Sequence, residues 1–207
     1  VNTHPEPTSF AFDDLAETAV LKAIARYPAG KQASAVMALL DIVQRQMGRV
    51  TGSAWVPRVA MDVVAARLGM APVRVYEVAT FYLMYNTKPV GTYHLQVCTT
   101  TPCWLRGSDD VVAACKKTAG IKDFGQTSAD GLFTMTEVEC LGGCVNAPIL
   151  QINDDYFEDM DAARTEAVLQ GLKDGVPLPA PGSRIGRQGS APVSDQTTLL
   201  ATSAVDP

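Results

Sequence analysis

The sequence lacks any apolar run near the roughly 20 residues needed to cross a bilayer, so membrane association would have to come through partners. It lacks surplus positive charge: the formal net charge is −5, where a nucleic-acid binder usually shows a basic face. It has no C-x-x-C pair, and with that it lacks the usual reactive dithiol of a thiol oxidoreductase. No G-x-G-x-x-G follows a predicted strand, which removes the common dinucleotide cradle. Neither an initiator Met nor a signal-like apolar segment stands at the start, and the expected form is a processed chain. Histidine is scarce. His4 and His94 are each expected to be surface or internally satisfied side chains rather than ligands.

What is present is a 207-residue chain, 47% hydrophobic and 19% charged, the composition of a soluble globular protein. That length allows one large domain or two small ones. Five cysteines is an odd number for a disulfide framework, and the apolar content suffices to fold without staples. A reducing compartment with metal-bound thiolates fits better.

The expected organisation has four parts. Residues 1–12, with two prolines and no helical period, read as an arm. Residues 13–90 read as helical throughout, with four apolar stripes spaced i, i+3, i+4, i+7 that can bury one core. The first runs through Ala16, Val20, Ala23, Ile24 and Tyr27. The second runs from Val36 to Met47 and is expected to stop at Gly48. The third runs from Met61 to Leu68 and stops at Gly69; the fourth starts at Pro72 and continues through Tyr82 and Tyr85.

From residue 91 to 175 the period changes to that of a small α/β domain. Tyr93–Val97 alternates as a strand, and Ser108 is expected to cap a helix that ends at Gly120. Phe133–Val138 reads as a second strand. Ile149–Ile152 and Tyr156–Phe157 flank a turn, and a last helix follows Asp161. Residues 176–207 read as an extended tail rich in Pro, Gly, Ser and Thr. Arg184, Arg187 and Leu199–Leu200 would suit an arm laid on a neighbour.

The chemistry is concentrated in CTTTPC, with Cys98 and Cys103, and ECLGGC, with Cys140 and Cys144. Each pair follows a predicted strand. If those strands are parallel neighbours, their loops emerge at one sheet edge and the four sulfurs converge. Four thiolates can hold zinc, a [2Fe–2S] cluster or a [4Fe–4S] cluster. Structural zinc sites usually contain a tight C-x-x-C knuckle, and the [4Fe–4S] run C-x2-C-x2-C is absent. The wider spacings suit a larger object with one iron per pair, although zinc, disulfides and free thiols stay open on spacing alone. An oxidised [2Fe–2S] centre with four thiolates is an anion and needs N–H donors. Gly142, Gly143 and Thr99 to Thr101 can supply them, Trp104 and Leu105 could exclude water, and Glu137 and Glu139 would lower the potential if near. Cys115, on the apolar side of its helix, is expected to be a buried small hydrophobe.

Three stretches carry a resemblance: VCTTTPC at 97–103, VECLGGCVNAP at 138–148 and RVYEVATFYLMYNTKPVG at 74–91. They resemble the thioredoxin-like [2Fe–2S] subunit of the NADH-oxidising module of respiratory complex I, the 24-kDa-type or NuoE family. The likeness runs from about Phe10 through PGSRIGR at 181–187. It implies a four-helix N-terminal domain followed by a thioredoxin-like α/β domain. It implies that Cys98, Cys103, Cys140 and Cys144 hold one [2Fe–2S] cluster, and that a flavoprotein partner carries FMN and NADH. In the family the cluster lies to the side of the main electron path. Location follows as peripheral, on the mitochondrial matrix side or the bacterial cytoplasmic side of the membrane. Gly143 stands where many relatives have Ala, and residues after about Ser190 match no motif.

Other classes compete. The equivalent subunit of a soluble NAD-linked formate dehydrogenase or hydrogenase shares the fold and cysteines. The segment from Ala54 to Tyr82 reads as helix–turn–helix, but with only Arg58, Arg67 and Arg74 as cations it is a poor DNA reader. A thiol oxidoreductase would need a closer cysteine pair than C-x-x-x-C.

Overall fold

The computed structural model describes residues 6–187. His4 and Leu199–Leu200 lie outside them. Within them the chain divides into two compact units, 6–94 with 127–134 and 95–126 with 135–187.

The first unit is helical because its apolar stripes match the helical period. Helix α1 (Asp14–Ile24) begins where Asp13 accepts the Ala16 N–H at 2.8 Å, and it buries Ala16, Val20 and Ala23. After a short 3₁₀ turn at Gln32–Ala35 comes α2 (Val36–Thr51), which buries Val36, Leu39, Leu40 and Val43. Helix α3 (Arg58–Leu68) ends at Gly69 with φ +64°, the left-handed stop that glycine takes without strain. Helix α4 (Pro72–Phe81) starts on its proline. Helix α2 packs on α1, α3 and α4, and α3 packs on α4.

Two helix ends differ from the sequence expectation. Helix α2 passes through Gly48 and stops at Gly52 (φ +77°). A Cβ at Gly48 would lie 3.1 Å from the Ala54 Cβ, so this glycine serves close packing rather than termination. Helix α4 stops at Phe81 instead of continuing to Tyr85. Here bonds to α2 win over helix propagation. Gln44 donates to the Met84 carbonyl and accepts the Asn86 N–H, while the Tyr85 hydroxyl donates to the Met37 carbonyl at 2.8 Å. Residues 6–12 have no regular structure but are held down. Phe10 and Phe12 pack on the helical core, and Gln46 donates to the Ala11 carbonyl.

The strands are β1 (Tyr93–Cys98), β2 (Gln126–Thr127), β3 (Phe133–Val138), β4 (Leu150–Ile152), β5 (Asp155–Glu158) and β6 (Gly182–Ser183). They form one mixed sheet in the order β2-β3-β1-β4-β5-β6. At the start of β1, Thr92 N–H donates to Gly131 O and Tyr93 N–H to Leu132 O. The partners advance together, so β1 and β3 run the same way and end at the same edge. Strand β4 is antiparallel to both β1 and β5, with Val97 opposite Leu150 and Leu150 opposite Phe157. Central β1 buries His94, Leu95, Val97 and Cys98 rather than alternating, as expected of a strand covered on both faces.

Helices α5 (Thr101–Leu105), α6 (Ser108–Ala119) and α7 (Ala162–Lys173) complete the second unit, and α6 packs on α7. Helix α5 has no apolar stripe to announce it, since it is a single turn around Pro102. Ser108 is not the N-cap. Gly107 takes that place at φ +94°, and the Ser108 hydroxyl is buried without a partner. The described part of the C-terminal segment also differs from a loose tail. Gly182 and Ser183 add a parallel strand to β5, and Arg184 N–H donates to the Glu158 carbonyl. Arg187 turns inward rather than to a neighbour, donating to Val145 O at 2.6 Å and pairing with Asp159 at 3.7 Å.

Candidate metal centre

Parallel β1 and β3 deliver their following loops to one sheet edge, and the two cysteine pairs meet there. Cys98 ends β1 and Cys103 sits in α5; both are buried, in an apolar cluster with Ala147 and Ile149. Cys140 follows β3, and Cys144 opens the 3₁₀ turn Cys144–Asn146; both are exposed. The Cys140 and Cys144 sulfurs are 3.3 Å apart. Cys98 and Cys103 are hydrogen-bonded to each other, and Cys98 is close enough to feel the charge of both Cys140 and Cys144. Cys115 lies elsewhere, fully buried within α6.

Donors from the loops aim at these sulfurs. Cys98 receives the Thr100 hydroxyl at 3.3 Å and the N–H groups of Leu141 and Thr100. Cys140 receives the Gly142 N–H, and Cys103 that of Ile149. Gly142 has φ +86°, a conformation that an L side chain resists. The loops are braced from below. Tyr156 donates to the Leu141 carbonyl at 2.9 Å, Asn146 donates to Glu158 at 2.6 Å, and Thr99 donates to Glu137 at 2.6 Å.

The electrostatics divide each pair. Burial pushes the Cys98 thiol up, but the Thr100 hydroxyl and the backbone N–H groups outweigh it, and the net shift is downward. Burial and the neighbouring Cys98 push Cys103 up to about 12. The Gly142 N–H and the Cys144 thiol lower Cys140, while its bond to Cys140 raises Cys144. One sulfur of each pair is thus the better thiolate. Metal binding would displace the protons that remain. Burial alone pushes Cys115 up to about 12, as expected of an inert core thiol.

The donor set fits a binuclear group. Among the described residues, no three His, Cys, Asp or Glu side chains converge on a point that one ion could occupy. The sulfurs gather two and two, and backbone N–H groups donate to Cys98, Cys103 and Cys140. A single tetrahedral zinc would need all four around one centre.

Some expectations are not met. Trp104 and Leu105 do not shield the sulfurs from within the chain; they are 57% and 70% exposed. Glu137 accepts a hydrogen bond from Thr99 in the first cysteine loop, and a Cβ on Gly143 would lie 3.1 Å from the Ile149 Cδ1. Sequence reasoning missed the bracing by Tyr156, Asn146 and Arg187, whose partners lie 15, 12 and 42 residues away. Helices α3 and α4 do form a helix–turn–helix, but its arginines are engaged: Arg67 with Glu17 at 2.6 Å, Arg74 with Glu77 at 2.8 Å, and Arg58 with Asp62 at 3.9 Å. Each cation of the motif thus has an acidic partner within 4 Å.

Residues 20–173 match the model of the family described as thioredoxin-like [2Fe-2S] ferredoxin. The chain is 49% identical over 167 residues to a Rickettsia bellii protein named as a subunit of NADH-quinone oxidoreductase, covering 81% of this chain and 96% of that protein. It is 44% identical to a protein of Dictyostelium discoideum called NADH dehydrogenase [ubiquinone] flavoprotein 2, mitochondrial, covering 96% of this chain and 77% of the other. Among solved structures, an NAD+-reducing [NiFe]-hydrogenase in the air-oxidised state matches with a TM-score of 0.56 at 20% identity. That match covers 67% of this chain and 23% of the hydrogenase chain, and it speaks for the fold alone.

Proposed function

This chain belongs to the thioredoxin-like [2Fe–2S] ferredoxin family, and we propose that it serves as an electron-transfer subunit of NADH:quinone oxidoreductase, respiratory complex I. The observation that carries this reading is the meeting of two thiol pairs at one edge of a sheet, each supplied with backbone N–H donors. In this reading Cys98, Cys103, Cys140 and Cys144 are the ligands of one [2Fe–2S] cluster. When bound, the cluster supplies the redox chemistry, one electron at a time.

The chain's own residues position and insulate. Cys98 and Cys103 hold one side from the buried interior, with Ala147 and Ile149 excluding water. Cys140 and Cys144 hold the side that faces out, where electrons must enter and leave. Apolar side chains flank these ligands in sequence and are open: Trp104 and Leu105 follow Cys103, and Val145 follows Cys144. They suit a partner surface that would cover the exposed sulfurs. That partner, in our reading, is the flavoprotein subunit with FMN and NADH, and the chemistry of hydride removal belongs to it. Among the described residues no helix is long and apolar enough to cross a membrane. We place the chain peripherally, on the matrix or bacterial cytoplasmic side, attached through the complex.

A second reading is the equivalent subunit of a soluble NAD-linked hydrogenase or formate dehydrogenase, an assembly in which the same fold occurs. Purification of the tagged chain from its native cells separates the two. Complex I predicts co-purification with a flavin-bearing chain and membrane-embedded subunits, and a reduced-state EPR signal on adding NADH. Co-purification with only soluble chains and a hydrogenase or formate dehydrogenase activity would select the alternative.

A further inference from the structure

Of the three threonines in CTTTPC, only one is shown turning its hydroxyl to sulfur. Thr99 spends its hydroxyl on Glu137 at 2.6 Å. Thr101 opens α5 and is exposed. Thr100 places Oγ1 3.3 Å from Cys98 Sγ, and the same hydroxyl is hydrogen-bonded to Cys140. It therefore touches one sulfur of each pair.

A cysteine bound to iron has no proton, so the direction of these contacts is fixed: the hydroxyl donates and sulfur accepts. An electron added to the centre increases negative charge on its sulfurs, and a donor already aimed at them gains strength at that moment. The donors from Leu141, Gly142, Ile149 and the Thr100 main chain are backbone N–H groups that are fixed by the fold. The Thr100 hydroxyl differs because it belongs to the side chain.

We propose that the Thr100 hydroxyl raises the reduction potential of the centre by donating to the sulfurs of Cys98 and Cys140. This rests on the four-cysteine ligand set proposed above. Valine has the outline of threonine and no proton to give. Serine keeps the proton and loses a methyl group.

The test is potentiometric EPR on the full-length chain, with iron and acid-labile sulfide measured for each variant. Thr100→Val is expected to keep the wild-type metal content and to shift the one-electron equilibrium toward the oxidised form about tenfold, equivalent to about 59 mV more negative. Thr100→Ser is expected to return close to the wild-type potential. Thr100→Ala, which removes the hydroxyl without filling its place, is expected to move in the same direction as valine. An unchanged potential in loaded valine and alanine variants would overturn the proposal, as would serine shifting as far as valine. Failure of both the valine and alanine variants to load, with serine loading normally, would also count against it, since the hydroxyl would then serve assembly. A wild-type chain without iron would sink the ligand set itself, a different outcome from any of these.

Discussion

The guanidinium of Arg187 donates to the carbonyl oxygen of Val145 at 2.6 Å, fastening the C-terminal segment to the turn that begins at Cys144. The same arginine pairs with buried Asp159, which also accepts from the Ser183 hydroxyl at 2.5 Å. The segment is thus a brace for the turn that carries exposed Cys144. Outer contacts of this kind change metal affinity by about 10- to 100-fold. Arg187→Ala is expected to leave the helical content unchanged and to lose the cluster to a chelator about tenfold faster than wild type. Bleaching of visible absorbance with time would measure it, and equal rates would show that the brace is idle.

Cys115 provides the internal control among the thiols. It is buried in α6, away from both pairs. Cys115→Ser is expected to keep the cluster's spectrum while losing about 1–3 kcal/mol of stability, because a hydroxyl replaces sulfur in an apolar site. Cys→Ser at 98, 103, 140 or 144 is expected to disturb the spectrum instead. Denaturant melts and EPR on the five variants distinguish the two patterns.

His94 is held neutral. Burial lowers its pKa from the ordinary 6.5 to about 4. Between those values the unfolded chain binds a proton that the folded chain does not, so stability is full above the unfolded value and falls as pH drops through 6.5. The penalty at about pH 5 is about 2 kcal/mol. Urea unfolding at about pH 7.5 and about pH 5 should show that much more loss in wild type than in His94→Gln. Parallel losses in the two proteins would contradict this assignment.

Two glycines should respond in opposite ways to alanine. A Cβ on Gly91 would lie 2.8 Å from the Leu132 carbonyl oxygen and 2.9 Å from that of Gly131, and neither backbone atom can move cheaply. Gly91→Ala is expected to cost about 1–3 kcal/mol. At Gly143 the added atom would meet the Ile149 Cδ1 at 3.1 Å, the flexible end of a side chain. Gly143→Ala should therefore load its cluster normally. Thermal melts and iron content check both.

The four cysteines proposed as ligands stand in the sequence as two close pairs, and the structure brings those pairs together. Each cysteine pair follows a strand whose pattern is local, and parallel neighbours bring their loops to one edge. The helical stripes were equally plain, since Leu39, Leu40, Val64 and Val75 are all buried where the period puts them. What sequence could not show depends on distant partners. Nothing near Tyr85 announces that its hydroxyl will reach Met37 and that the helix will end at Phe81. Gly48 and Gly52 are both plausible stops, and only the approach of Ala54 separates them. Trp104 and Leu105 look like shielding by composition, yet both side chains are exposed among the described residues.

The most direct test is the iron and acid-labile sulfide content of the full-length chain purified without oxygen. Two irons and two sulfides per chain, with a reduced-state EPR signal that persists in Cys115→Ser, is the expected result. One zinc per chain and no sulfide would contradict the claim that these paired thiols were built for a binuclear electron carrier.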